Sequence, residues 1–113
     1  MAEKIDFDGY QEFVGTTAVY PNRGSNFIYP ALGLCGEAGE VAEKVKKVLR
    51  DKNGVMDDQS RAALKYELGD VYWYLARLCS ELGFSSQEVV ETNVEKLRSR
   101  KERGTLQGSG DNR

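Results

Sequence analysis

Apolar residues recur along this chain at three- and four-residue steps, the period of helices packed by one face, and nowhere alternate as strands do. Phe7, Tyr10, Phe13, Val14 and Thr17 mark a first helix behind Asp6, a side chain suited to capping an N-terminus. The Tyr20–Asn26 stretch, with Pro, Gly and two Asn, is a loop. A second helix is expected from near Pro30 to about Arg50, where Asp51-Lys52-Asn53-Gly54 breaks it. A third should start at Asp57 or Asp58 and stop around Gly83. Ser85 with Glu88 reads as a capping box opening a fourth helix that runs to about Arg103. The expectation is an all-α fold with residues 1–103 as one domain and 104–113 as a flexible tail without an apolar face.

The third helix carries apolar residues most of the way round. Leu64, Leu68, Val71, Leu75, Leu78 and Leu82 share one broad face, and Tyr72, Trp73 and Ala76 lie on another. A small chain has little with which to cover both, so the Tyr72/Trp73/Ala76 face is expected to meet another subunit. Completion of the helical bundle as a homodimer or homotetramer follows.

Composition narrows the chemistry. The chain has 113 residues, a net charge of −2 and no histidine. That count excludes His-ligated zinc, Ser-His-Asp and Cys-His nucleophiles and every His base. The charge argues against nucleic-acid binding through a broad basic surface. No apolar run approaches the ~20 residues of a membrane span, and the start does not resemble a signal peptide. Two cysteines set within apolar helical patterns suit a reducing cytoplasm.

Two carboxylate pairs then stand out. Glu37 and Glu40 on the second helix, and Glu67 and Asp70 on the third, are each spaced i, i+3 and point to the same side of their helix. Like charges at that spacing repel unless a cation sits between them, and Mg²⁺ or Mn²⁺ prefers such oxygen donors. A solvated acidic face would show similar spacings, and Glu40–Lys44 and Glu43–Lys47 are ordinary surface pairs. However, Gly33, Gly36 and Gly39 recur inside the same helix, each at about 1 kcal/mol relative to alanine. Close approach of backbone, a packed neighbour or a ligand would account for them.

Gly33-Leu34-Cys35-Gly36-Glu37-Ala38-Gly39-Glu40-Val41-Ala42-Glu43-Lys44, followed by Glu67-Leu68-Gly69-Asp70, resembles the MazG-like nucleotide pyrophosphohydrolases. These are all-α enzymes related to dimeric dUTPases, dCTP pyrophosphatases and phosphoribosyl-ATP pyrophosphohydrolase. Their pattern is Glu-Glu-x-x-Glu followed by Glu-x-x-Asp. Here Gly36 replaces the first glutamate, as in the dCTP-pyrophosphatase-like form, and the Asn93–Arg113 stretch is similar to that of small phage and bacterial members. The resemblance implies Mg²⁺, with Mn²⁺ as a substitute, held by Glu37, Glu40, Glu67 and Asp70, and Glu37 or Glu40 as the base. It implies hydrolysis of ribo- or deoxynucleoside triphosphates to monophosphate and pyrophosphate.

Asn93, Lys96 and Arg100 share a face of the fourth helix and are candidates for the phosphates. Tyr74, one turn after Asp70, is a candidate for stacking on the base, and the Asn22–Tyr29 loop a candidate for reading it. Two other readings stand beside this one: a non-catalytic helical dimerisation or interaction module, and a phosphoribosyl-ATP pyrophosphohydrolase.

Overall fold

The computed structural model describes residues 4–113 and consists, among them, of four α-helices and no strand. They are α1 (Phe7–Gly15), α2 (Ile28–Asp51), α3 (Asp58–Leu82) and α4 (Ser86–Glu102). The long α2 and α3 form a hairpin, α1 packs on α3, and α4 packs on α1.

Local chemistry sets each boundary. Asp6 caps α1 by accepting a 2.7 Å bond from the Gly9 amide. Helix α2 starts at Ile28, two residues earlier than its proline suggested, because the side-chain oxygen of Asn26 accepts from the Tyr29 amide. Pro30 then falls in the first turn, where a missing N–H leaves nothing unpaired. Asp57 caps α3 through the Ser60 amide at 2.8 Å. Lys52 reaches across the hairpin turn to both Asp57 and Ser60, each at 2.9 Å. This lysine, with the Ser60 bonds, holds the Asp57 carboxyl down at about 2. Gly83, in the left-handed region at φ 79°, closes α3. The Ser85/Glu88 capping box opens α4.

Helix α1 then clasps the junction between α3 and α4. Its Asp8 carboxylate accepts from the Ser85 hydroxyl at 2.7 Å and the Gln87 amide at 3.1 Å. Gln11 donates to Ser80 and to the Phe84 carbonyl and accepts from the Ser86 amide. Beyond α4, residues 104–113 curl into a loop held by guanidinium-to-carbonyl bonds: Arg113 donates to Thr105, Leu106 and Gly110, and Arg100 to Asp111 at 2.7 Å.

The faces of α3 are used differently from the expectation. Ala76 is buried within the chain, and Trp73 is half-buried with its indole N–H donating to the Thr17 hydroxyl at 2.8 Å. Of the expected face, Ala76 is therefore taken up by the chain's own packing, Trp73 only in part, and Tyr72 remains 55% exposed. The leucine stripe stays open as well, with Leu68, Leu75 and Leu82 each more than 40% exposed. The helical period determines which residues share a face, whereas α1 and α2 decide which face is covered.

Among the described residues little apolar surface is fully enclosed; Val14, Ala18, Tyr20, Val48 and Ala76 form the buried hydrophobic core. The radius of gyration is 17.1 Å, against ~13 Å for a compact chain of similar length.

Candidate functional site

Helices α2 and α3 bring Glu37, Glu67 and Asp70 together. One carboxylate oxygen from each lies within 4.8 Å of the others, with Glu37 and Glu67 half-buried and Asp70 exposed. The positions follow from the hairpin: Glu67 and Asp70 are one turn apart on α3, and α2 runs alongside with Glu37 facing them. Glu40, the fourth expected ligand, is exposed one turn further along α2 and stands outside the three-carboxylate group.

The electrostatics are those of a site short of positive charge. Burial pushes the Glu37 carboxyl up, the hydrogen-bonding approach of Glu67 pushes the same way, and the charges of Asp70, Glu67 and Glu40 add to both. The Lys44 ammonium, one helical turn beyond Glu40 on α2, lies 3.8 Å from the Glu67 carboxylate. The i, i+4 spacing in the sequence points Lys44 to Glu40, whereas the structure pairs it with Glu67 on α3. A divalent cation suits the remaining charge, since all three donors are hard carboxylate oxygens.

An aromatic wall adjoins the acids. Tyr74 is raised in pKa by burial first, then by Tyr29 and by the carboxylates Glu37 and Asp70. Its ring meets Trp73 edge-on at 5.0 Å and Tyr29 at a tilt at 6.4 Å. Tyr29 in turn stacks on Tyr20 at 4.7 Å, with 13° between the rings. On the α1 side, burial and the Asp70 charge raise Tyr10. An apolar groove of about 630 Å³ opens there between Ile5, Phe7, Tyr10, Gly69 and Tyr72, and none of the four expected ligands lines it.

The glycine repeat in α2 separates into two cases. A Cβ on Gly33 would come within 2.1 Å of the Tyr74 ring, so packing of this tyrosine requires glycine there. At Gly36 and Gly39 a Cβ would meet nothing within 4 Å. The chain's own packing therefore explains only the first.

The fourth-helix set is not joined to the acids. Asn93 and Lys96 are exposed on α4. Arg100 is 6% exposed and is engaged with the Asp111 carbonyl of the tail. Among the described residues, no hydrogen bond or ion pair links these three to Glu37, Glu40, Glu67 or Asp70. The Glu81 carboxylate was also not singled out from the sequence. Its i, i+4 spacing from Arg77 was the available signal, but its other partners lie more than fifty residues away.

The chain is 50% identical over 111 residues to the Gene 37 protein of Mycobacterium phage L5, covering 94% of this chain and 97% of that one. No solved structure matches it. The family model for the MazG nucleotide pyrophosphohydrolase domain matches residues 30–105, which contain α3, α4, nearly all of α2 and all four expected ligands. With the carboxylates of α2 and α3 converging inside that match, the chain belongs to the MazG nucleotide pyrophosphohydrolase family.

Proposed function

We propose that this chain hydrolyses ribo- or deoxynucleoside triphosphates between the α- and β-phosphates, releasing a monophosphate and pyrophosphate, with Mg²⁺ as cofactor and Mn²⁺ as substitute. The observation that carries the reading is the convergence of Glu37, Glu67 and Asp70 within 4.8 Å beside the Tyr74 wall. A cluster of this charge is electrostatically reasonable when divalent cations share it, and the family membership supplies the reaction class. When bound, such ions neutralise phosphate charge and make a coordinated water acidic enough to attack near neutral pH.

The protein's own groups take the remaining roles. Glu37, Glu67 and Asp70 hold the cation, and Glu40, one turn away, completes the set or accepts the proton of the attacking water. Tyr74 stacks on the base. Lys96 and Asn93 bind phosphate oxygens, with Arg100 a further candidate once released from the tail. Because α4 makes no hydrogen bond or ion pair to the acids within one chain, these contacts are best met by α4 of a second copy, in a homodimer or homotetramer. The exposed leucine stripe of α3 supports that assembly. The free thiols of Cys35 and Cys79 fit action in a reducing cytoplasm. Among the described residues no helix is long and apolar enough to cross a membrane.

The test is a panel of ribo- and deoxynucleoside triphosphates assayed for pyrophosphate with Mg²⁺, with Mn²⁺ and with chelator. Metal-dependent release of equimolar monophosphate and pyrophosphate is expected. Absence of turnover on the whole panel would leave a non-catalytic helical module as the better reading.

A further inference from the structure

Asp70, Tyr74, Arg77 and Glu81 follow one another at four-, three- and four-residue steps, so a single stripe of α3 runs from the acidic cluster to the Glu81 carboxylate. The Glu81 side chain has no exposed surface, and Arg77 beside it is nearly as deep. One carboxylate oxygen accepts from the Tyr20 hydroxyl at 2.9 Å, the Gly24 amide at 2.8 Å and Arg77 at 3.4 Å. The other accepts from the Asn26 amide at 2.8 Å. Arg77 also donates twice to the Tyr20 oxygen, at 3.0 and 2.8 Å, and lies 5.4 Å from the centre of its ring. Burial works to raise the Glu81 carboxyl, but the Asn26 and Gly24 amides, the Tyr20 hydroxyl and the Arg77 charge outweigh it and hold it low.

These bonds all fix one segment. The loop they hold leads directly into α2, and its Asn26 side chain accepts from the Tyr29 amide. Tyr20, pinned by Glu81 and Arg77, is the ring on which Tyr29 stacks, and Tyr29 is the neighbour of Tyr74. We propose that Glu81, with Arg77, is a positioning pair that fixes the Tyr20–Asn26 loop and the Tyr20/Tyr29 stack as the base-facing wall of the site. This rests on the nucleotide-hydrolysing reading given above.

Glu81→Gln is the discriminating variant. Its amide nitrogen would face an N–H or O–H donor where the carboxylate accepts, so the loop must shift although side-chain size is kept. In the full chain, KM for nucleoside triphosphates should rise about tenfold or more with kcat within about threefold, and preferences among bases should flatten. Affinity for Mn²⁺ alone, and for inorganic tripolyphosphate with Mn²⁺, should match the unmodified protein, because neither touches the wall. An unchanged KM and base preference would overturn the proposal, as would a parallel loss of Mn²⁺ affinity, which would mark a general structural role. Should Glu81→Gln not fold, Tyr20→Phe removes only the hydroxyl contacts and keeps the stacked ring. It should show the same pattern at about threefold, and unmodified kinetics would again overturn the proposal. If the unmodified protein releases no pyrophosphate, the reading of its activity fails. Binding of α,β-imido nucleotides relative to tripolyphosphate still tests the wall separately.

Discussion

At the level of single residues, the acidic cluster is where folding works against carboxylate charge, as the proposed cation site would require. A carboxyl whose pKa is raised on folding, as at Glu37, binds its proton more tightly in the native state. Its contribution therefore turns unfavourable as pH rises from the ordinary carboxylate value through the raised one, and stays so at neutrality. In chelator, Glu37→Gln should melt at a higher temperature than the unmodified protein at pH 7, and the difference should vanish below about pH 4. The same variant should bind Mn²⁺ on the order of 100-fold more weakly, since losing an outer-sphere partner alone already costs about 10–100-fold. A lower melting temperature with intact Mn²⁺ affinity would contradict the ligand assignment. Lys96→Ala makes the complementary test on α4. A charge-assisted contact contributes about 1.5–3 kcal/mol, so kcat/KM should fall roughly ten- to a hundredfold, with Mn²⁺ affinity and melting temperature unchanged. A stability loss with normal kinetics would instead place Lys96 in a surface ion pair.

At the level of elements, the sequence was legible wherever the deciding contacts are local. The Asp6 cap, the Ser85/Glu88 box and the Gly83 stop each involve residues a few positions apart, so their signals survive without knowledge of the fold. The i, i+3 spacing of Glu67 and Asp70 is equally local, and the hairpin joins it to Glu37. The start of α2 was less legible, because Asn26 substitutes for a conventional cap from outside the helix. The covered face of α3 and the Glu81 clamp were not legible at all, since both depend on which distant segment arrives. The glycines of α2 give this scale its prediction. Gly33→Ala should destabilise, because the Tyr74 ring must move from the path of the new methyl group. Gly39→Ala, facing open space in the single chain, should stabilise α2 by up to about 1 kcal/mol. Thermal melts of the two variants should therefore shift in opposite directions. A destabilised or disassembled Gly39→Ala protein would show that something outside the chain packs there.

At the level of the whole molecule, the open shape and the exposed Leu68, Leu75 and Leu82 leave much apolar surface without a partner in one chain. Burial of such surface is worth about 25 cal/mol per Å², which favours association over a solvated stripe. Sedimentation equilibrium at micromolar concentration should give a dimer or tetramer, and Leu68→Glu with Leu75→Glu should lower that mass while leaving the helix content. A single-chain mass for the unmodified protein would contradict the assembly, and with it the supply of α4 by a second copy. The most direct test of the central claim is the identity of the products from a nucleoside triphosphate and Mg²⁺, resolved by ³¹P NMR. Monophosphate and pyrophosphate in equal amounts, abolished by Asp70→Asn, are expected. Release of orthophosphate, or turnover that survives Asp70→Asn, would contradict the account.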